Sequence, residues 1–346
     1  MSASTYLMSP AQVKMNPTLT TCQTKFLDYI RPDLDAVEAQ LHLELRSDVR
    51  TVYDLSNHIL NAGGKRLRPA MVALAARAID PDMSIHRLGR VGAAVELVHM
   101  ATLVHDDVVD NTATRRGKPT ANAIFGNGAA VLSGDYILAR ALKILVQDGD
   151  LHIIGTAVDV TVQMAEGEVM EIGATGNPCL PVEEYFEILR KKTAVFVEGC
   201  CRCGAMIAGA SEKMEAALGD FGYRLGMAFQ LADDLLDYTG DPLITGKPRG
   251  SDLRDGRPTL PFLFALEECS PVEKSKLMSA FGDAELSDAG VLKINEILDR
   301  RCAFDRTREV ARSHVEKSSY ALSQLPPSRA RDCFEELTDF VIQRDR

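Results

Sequence analysis

Along most of the chain, apolar residues recur every three or four positions, the spacing of one face of an α-helix. The pattern predicts helices over Val37–Leu60, Arg68–Ile79, Leu88–Asp110, Ala129–Val146, Ile153–Ile172, Glu183–Ala210 and Glu215–Tyr238. Pro181 followed by Glu183 and Glu184 suits a first helical turn, with acids at the positive end of the helix dipole. After Leu260, three more helical stretches are separated by Ser270-Pro271, Phe281–Asp288 and Pro326-Pro327. Strand-like alternation is short and isolated. Connections are brief except for Thr239–Pro258, which is rich in Gly, Pro, Asp, Lys and Arg and reads as a functional loop. No shift in composition marks a boundary. The expectation is an all-α fold, a single large helical bundle over residues 1–346, with residues 1–20 as a disordered extension.

Composition narrows the class. Of 346 residues, 46% are hydrophobic and 25% charged, which excludes a disordered or low-complexity chain. The net charge of −10 argues against a nucleic-acid binder, which needs a basic face to release counterions. With no Trp and 6% aromatic residues, a β-sandwich or base-stacking platform is disfavoured. The most apolar stretch, Val91–Val104, is interrupted by Glu96 and His99, so no membrane span is expected. The first fifteen residues lack the basic and apolar regions of a signal peptide. The one cysteine cluster, Cys200, Cys201 and Cys203, has no further ligands at metal spacing and reads as small buried helix residues. These features point to a cytoplasmic protein.

Two acidic clusters carry the chemistry. Asp106-Asp107-Val-Val-Asp110 and Asp233-Asp234-Leu-Leu-Asp237 each close an apolar helix. Residues four apart lie within about 40° on a helix, so Asp106 and Asp110 share a face, as do Asp233 and Asp237. Carboxylates crowded at the negative end of a helix dipole repel unless a cation joins them. One such cluster is more often a solvated acidic face; two of identical spacing favour hard-oxygen ligation of Mg²⁺ shared with phosphates.

The scarce bases gather in turns and at helix ends: Gly63-Gly64-Lys65-Arg66-Leu67-Arg68, Arg115-Arg116-Gly117-Lys118, Lys191-Lys192 and Gly246-Lys247-Pro248-Arg249. There, backbone amides can also face an anion. Taken singly, each pair is an ordinary solvated surface. Together with the acids they suggest a Mg²⁺-bridged diphosphate, and no P-loop spacing suggests a nucleotide. His99 lies about 20° from Asp106 on the same helix, where a diphosphate contact and a satisfied core histidine are both open. His105-Asp106 also spells the pair found in metal-dependent phosphohydrolases, but the remaining histidines show no grouping to support it.

The segments GGKRLRP, LVHDDVVDNTATRRGKPTAN, KKTA and FQLADDLLDYTGDPLITGKPRGSDLRDGRPTLP, in this order, resemble the motif series of the all-trans polyprenyl diphosphate synthases. The likeness spans Gly63 to Pro261. Class I terpene cyclases share the first acidic motif but not the second. The resemblance implies an isoprenoid synthase-like helical bundle around a deep central cavity, assembled as a homodimer. It implies condensation of an allylic diphosphate with successive isopentenyl diphosphates, using three Mg²⁺ ions with bound diphosphate.

Carried over by position, Asp106, Asp110 and Asp233 resemble the metal ligands, with Asp237 supporting them through water. Arg115, Lys192 and Lys247 resemble the allylic diphosphate contacts, and Lys65, Arg68, His99 and Arg116 the isopentenyl diphosphate site. Lys192, Thr193 and Gln230 resemble the catalytic polar groups at the allylic carbon. Arg257 stands where Lys is usual. Short-chain members carry bulky aromatics four or five positions before the first Asp, where this chain has Thr102 and Ala101, followed one turn down by Val98. Small residues there also permit close helix packing. Read with the family, they resemble the long-chain pattern, for quinone side chains. A shorter product (farnesyl or geranylgeranyl diphosphate) and a non-catalytic partner subunit are the alternatives; the latter would be expected to lack motif residues, and none is lost.

Overall fold

The computed structural model describes residues 25–115, 117–241 and 248–343. The expected N-terminal extension lies outside them. The chain enters through α1 (Lys25–Tyr29), α2 (Arg31–Glu44) and α3 (Arg50–Asn61). The helix expected over Val37–Leu60 is therefore two. It breaks at Arg46-Ser47-Asp48, where the Ser47 hydroxyl accepts a hydrogen bond from the Val49 amide at 3.2 Å. Short polar side chains that bond nearby backbone compete with the helix ladder in this way.

The next two helices, α4 (Leu67–Ile79) and α5 (Ile85–Val109), are buried over most of their circumference. In α4 the small residues Ala70, Ala73 and Ala76 are fully enclosed, so the helix has no polar face to present to water. In α5, Val91, Ala94, Leu97, Val98 and Ala101 pack into the main core. Burying one such Leu or Val is worth roughly 1.5–3 kcal/mol. A two-stranded hairpin, β1 (Thr114–Arg115) with β2 (Lys118–Pro119), follows α5. Then come α6 (Ala121–Phe125), α7 (Asn127–Asp148) and α8 (Leu151–Ala174), the last N-capped by Asp150.

Helices α9 (Val182–Leu189) and α10 (Val195–Ile207) form one rod interrupted by a π-helical turn, Arg190–Ala194. Such turns are rare and concentrate at functional sites. Two glycines let neighbours press against it. A Cβ on Gly167 would lie 2.6 Å from the Lys192 amide nitrogen, and one on Gly226 2.8 Å from the Ala194 Cα.

The longest helix, α11 (Glu212–Thr239), links two cores. Phe221, Leu225 and Ala228 join the first; Leu231, Leu235 and Tyr238 join a second with Phe262 and Phe304. That second core is completed by α12 (Ser251–Asp255), α13 (Leu260–Glu268), α14 (Pro271–Ala280), α15 (Asp288–Arg300) and α16 (Ala303–Leu322). The last helix, α17 (Arg329–Gln343), returns Phe334 to the first core. The Thr239–Pro258 connection is not wholly irregular, because α12 lies within it. Among the described residues, no helix is long and apolar enough to cross a membrane.

Candidate active site

The two acidic triplets stand at the ends of α5 and α11. In each, the middle aspartate is buried while its neighbours are half-buried or exposed. Asp107 accepts from Arg115 Nε at 2.8 Å, and its backbone carbonyl accepts from Asn122 at 3.1 Å. Asp234 accepts from the Tyr185 hydroxyl at 2.6 Å and from Gln230 Nε2 at 3.1 Å. The Thr193 hydroxyl donates to Gln230 Oε1 at 3.1 Å, so Thr193, Gln230, Asp234 and Tyr185 form one chain of hydrogen bonds.

The π turn places Lys192 between Glu168, at 2.9 Å, and Glu171 of α8. Opposite, Arg257 reaches Asp110 at 3.0 Å and lies within the fields of Glu171 and Asp252. Asp252 in turn faces Asp237 and Asp234. Arg257 and Asp252 thus connect the two triplets around one mouth. Both carboxylate oxygens of Asp237 are engaged there, one by the Ser251 amide and the other by the Asp252 amide, each at 3.1 Å. It thus accepts from the first two amides of α12.

Among the described residues, acids outnumber cations at this mouth. Burial, then Glu168 and Asp110, push the Asp106 carboxyl up to about 7, against Lys192 and Arg115. Burial likewise pushes Asp234 up to about 7, against its two hydrogen bonds. Asp106, Asp107, Asp110, Glu168, Glu171 and Asp252 share Lys192, Arg115 and Arg257. The donor set is hard oxygen throughout, and its excess charge is what a divalent cation would relieve. Among the described residues, no three acidic, His or Cys side chains converge on one point.

The basic turn lies beside α5. Arg68 stacks over Phe196, its carbon Cζ 5.2 Å from the ring centroid, and the His99 ring is 6.2 Å from the same ring. Asp233 and Glu96 are within the field of Arg68. A cavity of about 50 Å³ lies between α3, α5 and the hairpin, lined by Gly63, Arg66, Glu96, His99 and Arg115 among others. Lys65 is exposed at the turn's rim. The hairpin is tied to α3 by Lys118 Nζ donating to the Asn61 carbonyl at 2.7 Å and by His58 Nε2 at 2.8 Å from the Pro119 carbonyl.

Arg116 and Lys247 lie outside the described residues. Val98 and Ala101 are buried in the main core, and half-buried Thr102 donates to the His99 carbonyl at 2.9 Å. His105 turns away from the mouth, toward α7, 3.2 Å from the Val131 carbonyl. Sequence reasoning missed Glu168, Glu171, Asp252 and Tyr185. Glu168 and Glu171 are three apart and so share a helix face, a signal that was present but unread.

Fold and site together are those of a predominantly α-helical protein in which two acidic triplets and a set of cations meet around one mouth. The model of the polyprenyl synthetase family matches residues 49–298, and the chain belongs to that family. It is a prenyltransferase, as the motifs implied. The chain is 37% identical to the octaprenyl diphosphate synthase of Escherichia coli (strain K12), covering 91% of this chain and 96% of that protein. It is 33% identical to the short chain isoprenyl diphosphate synthase of Methanothermobacter thermautotrophicus, over 92% and 98%. A polyprenyl synthase from Caulobacter crescentus CB15, solved with calcium and isoprenyl diphosphate, superposes with a TM-score of 0.86. That structure is 36% identical, with 93% of this chain and 97% of its own covered.

Proposed function

We propose that this chain condenses an allylic diphosphate with successive isopentenyl diphosphates, yielding a long-chain all-trans polyprenyl diphosphate for quinone side chains. One observation carries the reading: Arg115 and Arg257 pair with Asp107 and Asp110 of the first DDxxD helix end, Lys192 pairs with Glu168 beside it, and Asp252 lies between Arg257 and the second DDxxD helix end. Asp106, Asp110 and Asp233 hold divalent metal, Mg²⁺ in number and kind as the resemblance implies. The calcium and isoprenyl diphosphate of the Caulobacter protein support a divalent ion beside diphosphate. When bound, the metal neutralises charge on the departing diphosphate.

The side chains do the rest. Lys192 and Arg115 exchange their carboxylate partners for diphosphate oxygens, stabilising the leaving group as its charge grows. Lys247 joins them. Thr193 and Gln230, whose oxygens are fixed by the chain to Asp234, face the allylic carbocation with their dipoles. Lys65, Arg68, His99 and Arg116 hold isopentenyl diphosphate so that its double bond attacks. A proton is then lost to the diphosphate that left. Val98, Ala101 and Thr102 set how long the product grows.

The working form is a homodimer in the cytoplasm. Leu151, Val158, Val162, Val169 and Ile172 follow one another at helical spacing down α8 and are exposed, as are Val131, Leu132 and Val146 of α7. A stripe of this size calls for a partner, and a second copy supplies a matching one. Light scattering on the purified chain tests it.

Labelled isopentenyl diphosphate with farnesyl diphosphate and Mg²⁺, resolved by product length, tests the reaction. Long labelled products that vanish on chelation are expected. No incorporation by the chain alone would favour the partner-subunit reading. A product that stops at farnesyl or geranylgeranyl diphosphate would favour the shorter-product reading, which the 33% identity to the short chain synthase keeps in play.

A further inference from the structure

We infer that Arg66 is the positioning residue of the basic turn: clamped between Glu38 of α2 and Glu96 of α5, it sets where Lys65 and Arg68 stand. The inference rests on the proposed function, which assigns this turn to isopentenyl diphosphate.

Arg66, the residue just before α4, has a φ of +51°, in the left-handed region that side-chain-bearing residues rarely enter. Something must hold it there. Its Nε donates to Glu38 Oε1 at 2.5 Å and its Nη1 to Glu96 Oε1 at 2.8 Å. A guanidinium can fork to two acids in this way; an ammonium cannot do so with fixed geometry. Glu96 is the telling partner. It sits mid-helix among apolar residues with its side chain 5% exposed. A buried carboxylate there is costly unless paired.

The two arginines of the turn have divided roles. Arg66 commits its donors to protein carboxylates. Arg68 leaves its enclosed Nε without a hydrogen-bond partner and rests on Phe196. Releasing Arg66 from the acids would free the left-handed turn. Lys65, one residue before it, and Arg68, two after it, would shift together.

Arg66→Met, Glu96→Gln and the double variant test this, each followed by thermal melting and by kinetics with either substrate varied. In both single variants the KM for isopentenyl diphosphate should rise about tenfold, with kcat and the allylic KM within about twofold. Both should also melt earlier: Arg66→Met takes the ion-pair partner from buried Glu96, and Glu96→Gln removes one of the two ion pairs that hold Arg66. The double variant removes the buried Arg66–Glu96 pair, leaving only the more exposed Glu38 without its partner, and should recover Tm relative to Arg66→Met while keeping the raised KM. Recovery of KM together with Tm would overturn the inference, as would an equal rise in both KM values or no rise. Should a single variant fail to fold, Glu38→Gln and the double variant supply the same comparison. A wild-type enzyme that does not consume isopentenyl diphosphate would sink the functional reading itself, and this inference with it.

Discussion

At the start of α14, Glu273 closes a capping box with Ser270 and accepts from Arg300 and Arg301. The Ser270 amide and Arg301 hold its carboxyl down, at about 2. At the end of α5, Asp106 is half-buried beside Glu168 and Asp110, and its carboxyl is pushed up to about 7. Both are carboxylates at a helix terminus, but one stands at the positive end of its dipole and the other at the negative end. Where the chain uses an acid for structure, it surrounds the acid with donors. At the mouth, among the described residues, Asp106 is instead crowded by the like charges of Glu168 and Asp110, the mark of a place suited to something that arrives from solution.

The largest consequence separates the two acids by activity. Asp106→Asn should lower the initial rate at saturating substrates by roughly 10³-fold or more, the loss expected when metal-assisted charge stabilisation is removed. Its Tm should hold or rise, since a crowded carboxylate is gone. Retained activity would place the essential ligands elsewhere.

The same shift predicts a pH effect. Below about 7 Asp106 holds its proton, which an incoming cation must displace. At fixed, subsaturating Mg²⁺ the rate should fall as pH drops below that value, by up to about tenfold per unit. Excess Mg²⁺ should carry the midpoint to lower pH. A midpoint that ignores metal concentration would detach the titration from Asp106.

In α5, Ala101→Phe places a large ring five positions before the first aspartate, and thin-layer separation of products should show shorter chains. Unchanged length would mean that Ala101 only permits close packing, which its burial in the main core equally allows.

Much of this was legible in the chain. Helical periodicity marks α4, α5, α7, α8 and α11 because each buries a broad apolar face. It fails at Arg46-Ser47-Asp48, where a serine-to-amide bond outcompetes the ladder, and at Arg190–Ala194, where one extra residue per turn leaves the apolar pattern almost unchanged. Spacing likewise puts Asp106 and Asp233 at helix ends. It does not reveal that Asp107 and Asp234 turn inward, or that Glu168 and Glu171 meet Lys192, because those pairings join helices distant in sequence. Glu96 read as a mere break in an apolar run; its meaning needed Glu38 and Arg66 from two other elements.

The smallest effect lies at Glu273, where the comparison is sharpest. Its folded carboxyl sits near 2, below the ordinary 4.5, so the stability it contributes is fully present above the ordinary value and is lost as pH falls toward 2. Glu273→Gln should therefore lower Tm by a few degrees at pH 7, with the gap to wild type closing progressively below about pH 4.5. Activity at pH 7 should not change. The α14 carboxylate and the α5 carboxylate would then respond in opposite senses to the loss of their charge, one giving up stability alone and the other catalysis alone. If Glu273→Gln instead lowers activity as much as stability, the second core is coupled to the mouth through α11, and the division between satisfied and unsatisfied acids does not separate structure from chemistry in this molecule.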